Sequence, residues 1–218
     1  MEPSLATPRT TVHRLPKRAA YDRATINAIL DEALICHLGF VADGQPFVIP
    51  TIHARRSESV FIHGSQANRM LRTARGGAEV CLTVTLIDGL VAARSAFKHS
   101  MNYRSVVLLG TATEVSEPAE KLAALRTIVE HIIPGRWDEV RQPNEAELKQ
   151  TTVLSLPITE GSAKIRTGAA LDDKEDYALP IWAGVLPLRL VIGAPIPDER
   201  CAAAIAIPRS IAEYQRGG

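Results

Sequence analysis

The run Leu34-Ile35-Cys36-His37-Leu38-Gly39-Phe40-Val41-Ala42-Asp43-Gly44-Gln45-Pro46-Phe47-Val48-Ile49-Pro50-Thr51-Ile52-His53-Ala54 decides the fold class. Residues 34–42 and 46–54 are apolar runs of strand length. Asp43-Gly44 between them is a strong tight-turn pair, because such hairpin turns need residues that tolerate positive φ. Pro50 interrupts the returning strand. Proline cannot donate to a ladder, so that point carries an edge, a bulge or a ligand.

Downstream lies Val60-Phe61-Ile62-His63-Gly64-Ser65-Gln66-Ala67-Asn68-Arg69-Met70-Leu71, a strand that ends in a turn and leads at once into a helical stretch. Ser65 is a suitable N-cap, since its hydroxyl can accept from an unpaired helical N–H. Gly64 allows a bend and a close approach. Arg69 brings a forked, permanent cation suited to phosphate, and Asn68 adds neutral donors. Two readings stand: an anion-binding turn, or an ordinary strand-to-helix cap with a solvated arginine.

Working outward, residues 1–20 are rich in Pro, Thr and Arg and read as an extended arm. Ile26, Ile29, Leu30, Ala33 and Leu34 fall at helical spacing behind Asp22 as cap. Residues 66–75 form a helix stopped by Gly76-Gly77, and 79–86 a strand broken by Asp88-Gly89. The segment 95–102 reads as a loop, and Tyr103 to Val115 as a long strand with a bulge at Gly110. Ser116 can cap a helix that carries Leu122, Leu125, Ile128, Val129 and Ile132 on one face. Asn144 and Glu147 resemble a capping box before a strand at 151–158. The acidic run 172–176 reads as an exposed loop, and 179–192 returns to the sheet with Pro187 at an edge.

Six or so strands joined mainly by tight turns predict a mainly β protein, and strand number with few aromatics favours a small closed antiparallel barrel with a few flanking helices. No domain linker is evident, so residues 21–198 read as one domain between the arm and a tail at 199–218. The 218 residues carry a net charge of +1 with acids and bases interspersed, and give no general field for nucleic acid or an anionic membrane. The three cysteines are widely spaced without a CxxC pair, and no apolar run approaches a membrane span or a signal core. A reduced, cytoplasmic protein is the simplest expectation. The dinucleotide-fold and P-loop glycine patterns are absent, as is HExxH, so no metal site is expected among the six histidines. Ser65, Ser105 and the cysteines lack the flanking residues that activate a nucleophile.

The segments HLGFVADGQPFVIPTIHAR, VFIHGSQANRML, NYRSVVLLGTATEV, the SAK of residues 162–164 and IWAGVLPL occur in an order that resembles the FMN-binding split-barrel family typified by pyridoxamine 5'-phosphate oxidase. The likeness runs from about residue 11 to 198 and is nearer to the branch of flavin-nucleotide-binding and nitroimidazole-resistance-type proteins. It implies a six-stranded antiparallel split barrel that forms a homodimer with FMN between subunits. Carried onto this chain, Pro50, Thr51, Ile52 and His53 would lie along the isoalloxazine. His63, Gly64, Ser65, Asn68, Arg69 and Met70 would surround the phosphate and ribityl chain. Tyr103, Arg104 and Ser105 would reach the polar edge of the ring, with Arg104 supplying positive charge, and Lys164 and Trp182 would approach from the sheet or the partner. His53 and His63 are candidates for a proton relay. The chain ends in IAIPRSIAEYQRGG and lacks the paired arginines around a histidine that hold substrate phosphate in the oxidases. The implied activity is therefore an FMN-dependent oxidoreductase acting with NADH or NADPH on a nitro compound or quinone. The alternative is a protein that holds a flavin nucleotide, or a haem in the same cleft, without turnover.

Overall fold

The computed structural model describes residues 4–202 and 204–216. Strand β1 (Ala19–Ala20) precedes helix α1 (Arg23–Glu32), then come β2 (Ile35–Ala42), β3 (Gln45–Arg56), β4 (Ser59–Ser65) and helix α2 (Arg69–Arg75). The long strands β5 (Glu79–Ala92) and β6 (Ser100–Thr111) follow, with the short β7 (Thr113–Glu114) and helix α3 (Pro118–Ile132) after them. Helix α4 (Glu145–Gln150), β8 (Thr151–Pro157), β9 (Gly161–Arg166), β10 (Gly184–Pro187) and helix α5 (Arg209–Ala212) complete the chain.

The ten strands form one curled antiparallel sheet in the order β1-β9-β6-β5-β2-β3-β4-β8-β7, with β10 added beside β5. This is the split barrel that the resemblance implies, with more strands than six; it is not the closed barrel predicted from the turns, because β1 and β7 at the two ends of the order do not pair with each other among the described residues. Asp43 and Gly44 take φ of 52° and 74°, as the hairpin between β2 and β3 requires. Inward residues of the strands close the core with α1 and α2: Leu38, Phe40, Leu82, Val84, Val106, Leu108 and Leu154 pack with Ile26, Leu30, Met70 and Leu71. Helix α3 lays Ala124 and Ile128 on Ala54, Phe61 and Val153, covering the outer face of β3 and β4.

Several local expectations are corrected. The helix after β4 is capped by Asn68, whose Oδ1 accepts from the Leu71 N–H at 3.4 Å, rather than by Ser65, which is the last residue of β4. Glu117, not Ser116, caps α3. The bulge lies at Asp88, between the pairs Ile87–Tyr103 and Gly89–Asn102, while Gly110 pairs regularly with Val80. The loop expected over 95–102 ends at His99, where β6 is about to begin. Lys164 belongs to β9. Of 179–192, only Gly184–Pro187 joins the sheet. The acidic run includes a 3-10 turn, Lys174–Ala178, and is tied down rather than loose, because Asp172 and Asp173 pair with Arg94 and Lys98. The capping box at Asn144 and Glu147 is present as expected. No helix of the described residues is long and apolar enough to cross a membrane.

Candidate functional site: a fork between β3 and β4

The pairing of β3 with β4 runs from Arg56–Ser59 to His53–Ile62 and stops there. Beyond that rung, β3 turns to β2, which it pairs from Ile52 to Gln45. Strand β4 continues along β8, pairing His63, Gly64 and Ser65 with Val153, Thr152 and Thr151. The two strands diverge like the arms of a fork. Each arm has one edge committed to a neighbour and the other turned to the gap. Pro50 sits in the β3 arm, where its missing N–H costs no ladder bond, which explains how proline fits in mid-strand. An open edge of backbone donors and acceptors must find other partners, and a polar ligand supplies them.

Helix α2 spans the open end of the fork. Arg69 lies with its guanidinium carbon 3.9 Å from the Phe47 ring centroid, and Phe47 stacks in turn on Phe40 at 5.5 Å. Arg69 has no carboxylate partner among the described residues and is exposed, so its donors are free for an anion. An added Cβ at Gly64 would stand 3.1 Å from Leu71 Cδ1 and 3.8 Å from Asn68 Nδ2, so glycine lets α2 close against β4. Seven residues are too few for the dipole of α2 to carry an anion site, and the cation and the amide are what suit one. His63 has its Nδ1 buried without a partner, and burial pushes the ring's pKa down, so the imidazole is neutral at pH 7.

The remaining candidate residues separate into those that share the fork's outer face and those that do not. Antiparallel partners share a face, so the registers place Ile52, Ile35, Thr85, Ser105 and Lys164 in one outward row across β3, β2, β5, β6 and β9. Ser105 Oγ also donates to the Lys164 carbonyl at 3.3 Å. Tyr103 lies on the same face one step along, and Arg104 on the opposite one. Arg104 is held by Glu32 and Asp88, with Nη2 2.7 Å from a carboxylate oxygen of each, and these two acids drive its pKa up. That guanidinium is engaged away from the outer row, and the role at a ring's polar edge does not fit it.

His53 and Met70 are likewise turned away. His53 is fully buried, its Nε2 3.0 Å from the Leu30 carbonyl and its ring 5.4 Å from that of His131. Burial and the neighbouring His131 lower its pKa to about 4, so it stays neutral and inside rather than lying along a ring. Met70 belongs to the core. Trp182 is well exposed and stands far along the sheet, its ring over Gly184 at the end of β10. Phe47, the platform for Arg69, is a site residue that the sequence does not mark. A phenylalanine in an apolar strand carries no mark of that role.

The residues of the fork fit a flavin phosphate and ribityl chain by their chemistry: a free guanidinium, a carboxamide, an unpartnered neutral imidazole and open backbone edges. Residues 22–165 match the family model described as pyridoxamine 5'-phosphate oxidase. The chain belongs to that family. No curated protein sequence matches it. Among solved structures, it is similar to the flavocytochrome Anf3 from Azotobacter vinelandii, with 43% identity over 99% of this chain and 100% of that one and a TM-score of 0.92. It is also similar to the FAD and haem binding protein from Mycobacterium smegmatis, at 33% identity, 92% and 98% coverage and TM-score 0.88. A protein from Bacteroides thetaiotaomicron that carries the name of a 5-nitroimidazole antibiotic resistance protein by assignment shares the fold at 20% identity, covering 67% of this chain and 86% of its own, with a TM-score of 0.58. The family match ends at residue 165, whereas the likeness to the flavocytochrome takes in the segment that follows, with β10 and α5.

Proposed function

We propose that this family member is a redox protein that binds a flavin nucleotide in the β3–β4 fork and a haem elsewhere on the same chain. The observation that carries the flavin half is the end of the β3–β4 ladder at His53–Ile62, with Arg69 placed across the opening. The haem half is supported by end-to-end similarity to two proteins named for both groups. The FAD of the Mycobacterium smegmatis relative favours FAD over FMN as the flavin.

In this reading the flavin supplies electron and hydride transfer, and the chain supplies position and electrostatics. Arg69 and Asn68 hold phosphate oxygens. The free edges of Pro50–Ile52 and His63–Ser65 bond the ribityl chain and the ring rim. His63, kept neutral by burial, offers a hydrogen bond without adding charge. The domain from residue 21 to 198 would act as a homodimer, its contact surface the outer face of β2 and β3, where Ile35, Val41 and Val48 are exposed. A nicotinamide donor, with a nitro compound or quinone as acceptor, belongs to the same proposal.

The test is a visible spectrum of the purified protein, before and after reconstitution with flavin and haemin, with chromatography of the released nucleotide. Both a flavin band and a Soret band are expected, with FAD recovered and the flavin band bleached by NADH or NADPH. Protein that stays colourless overturns the proposal. A flavin that no nicotinamide reduces removes the donor assignment alone.

A further inference from the structure

The bulge at Asp88 has a consequence for the far end of the sheet. Before it, odd-numbered residues of β5 share the outer face with odd-numbered residues of β6, as Thr85 does with Ser105. After it, Leu90 pairs with Met101, so even-numbered residues of β5 take over that face. Leu186 pairs with Leu90, and Gly184 with Ala92. One apolar patch results. Leu186, Leu90 and Met101 form its first row and are 49%, 41% and 48% exposed, and Gly184 with Ala92 forms the second. The Trp182 ring caps Gly184, in contact with the space its Cβ would occupy. His99 stands two residues before Met101, in the turn that leads into β6.

The imidazole of His99 has one nitrogen committed and the other open. Its Nδ1 lies 3.0 Å from the Ser95 carbonyl, which fixes the proton on Nδ1 and leaves Nε2 as the free acceptor. Nε2 has no partner among the described residues, and the side chain is exposed. His13 and His37 are also exposed, but no hydrogen bond among the described residues fixes a proton on either ring. His53 and His131 spend Nε2 on the carbonyls of Leu30 and Ala33, and His63 has its Nδ1 buried. Around His99 the chain is fastened: Lys98 pairs with Asp173 at 2.7 Å and Arg94 with Asp172 at 2.9 Å. These pairs tie the segment after residue 165 to the β5–β6 turn. That segment lies beyond the family match and within the likeness to the flavocytochrome.

We infer that His99 is an axial ligand of the haem, through Nε2, and that the porphyrin covers the apolar face made by Trp182, Leu186, Leu90 and Met101. The inference rests on the haem half of the proposed function. The patch lies on the same face of β6 as Ser105 and Tyr103, so the outer face of the sheet would connect the two redox groups.

The experiment is haemin titration of the full chain and of its His99→Ala and His37→Ala variants, followed by absorption and electron paramagnetic resonance, with flavin binding as the check on folding. Wild type and His37→Ala are expected to give one identical Soret band. His99→Ala should bind haemin about tenfold more weakly or worse, with an altered spectrum that added imidazole restores and with flavin affinity unchanged. A wild-type protein that takes up no haemin overturns the haem reading and the inference together. An unchanged spectrum and affinity in His99→Ala, beside a haem-loaded wild type, overturns the assignment of His99 alone, as does loss of haem in His37→Ala.

Discussion

Arg69 stacks on Phe47 at 3.9 Å, and this contact joins helix α2 to the free edge of β3. A cation over an aromatic face is held without losing its in-plane donors, which is what phosphate recognition needs. Removing the platform should loosen the cation. Phe47→Ala is expected to weaken flavin binding several-fold and to lower stability by about 2 kcal/mol, since Phe47 also stacks on Phe40. Fluorescence titration of flavin and a denaturant melt read the two effects separately.

Arg104 is expected to behave in the opposite manner. Its guanidinium bridges Glu32 of α1 and Asp88 at the β5 bulge, and its loss leaves two carboxylates facing one another. Arg104→Ala should lower stability by about 1–2 kcal/mol and leave flavin affinity unchanged. The comparison of melting temperature with flavin affinity in this one variant checks the placement of Arg104 away from the outer face.

The buried histidines make stability depend on pH. His53 has its pKa lowered to about 4 by burial, and His63 and His131 are shifted in the same direction for the same reason. A group whose folded pKa lies below its unfolded value binds more protons when unfolded, so stability is full above the unfolded value of about 6.5 and falls as pH drops toward 4. For His53 the loss is at most about 3 kcal/mol. Urea melts between pH 7.5 and 4.5 should show the decline, and His53→Gln should flatten part of it.

Thiol reactivity should be sharply graded. Cys36 is fully buried with its pKa pushed up to about 12, Cys81 is half-buried with its pKa raised, and Cys201 is exposed. Only the thiolate reacts quickly. A disulfide reagent on the native protein should titrate one thiol rapidly, and Cys201→Ser should abolish that fast phase.

The sequence carried the fold wherever a residue's own geometry decides a structure. Asp43-Gly44 specifies a hairpin because few other pairs accept those φ values. Pro50 specifies an open edge, and Asn144 with Glu147 a helix start. Less was legible where tertiary partners decide. The short strands β1, β7 and β10 hold two to four residues each, and their pairing exists only because a neighbouring edge is available. Ser65 and Asn68 are both good caps, and the pairing of β4 with β8 through Ser65 is what selects Asn68. Alternation along β6 separates Tyr103 and Ser105 from Arg104, a distinction the sequence contains once the strand is known. The interior place of His53 needed α1 and α3, whose carbonyl and imidazole surround it. His99 left no mark in the sequence, because its qualification is a hydrogen bond to a carbonyl four residues earlier.

The most direct test of the fork as the flavin site is titration of FAD and FMN into wild type and Arg69→Ala. The side chain of Arg69 is exposed and held by its stacking on Phe47, so the variant should lose no more than about 1 kcal/mol of stability. Flavin affinity is predicted to fall by about 1.5–3 kcal/mol, the cost of losing a hydrogen bond to a charged group. An affinity equal to that of the wild type would contradict the account.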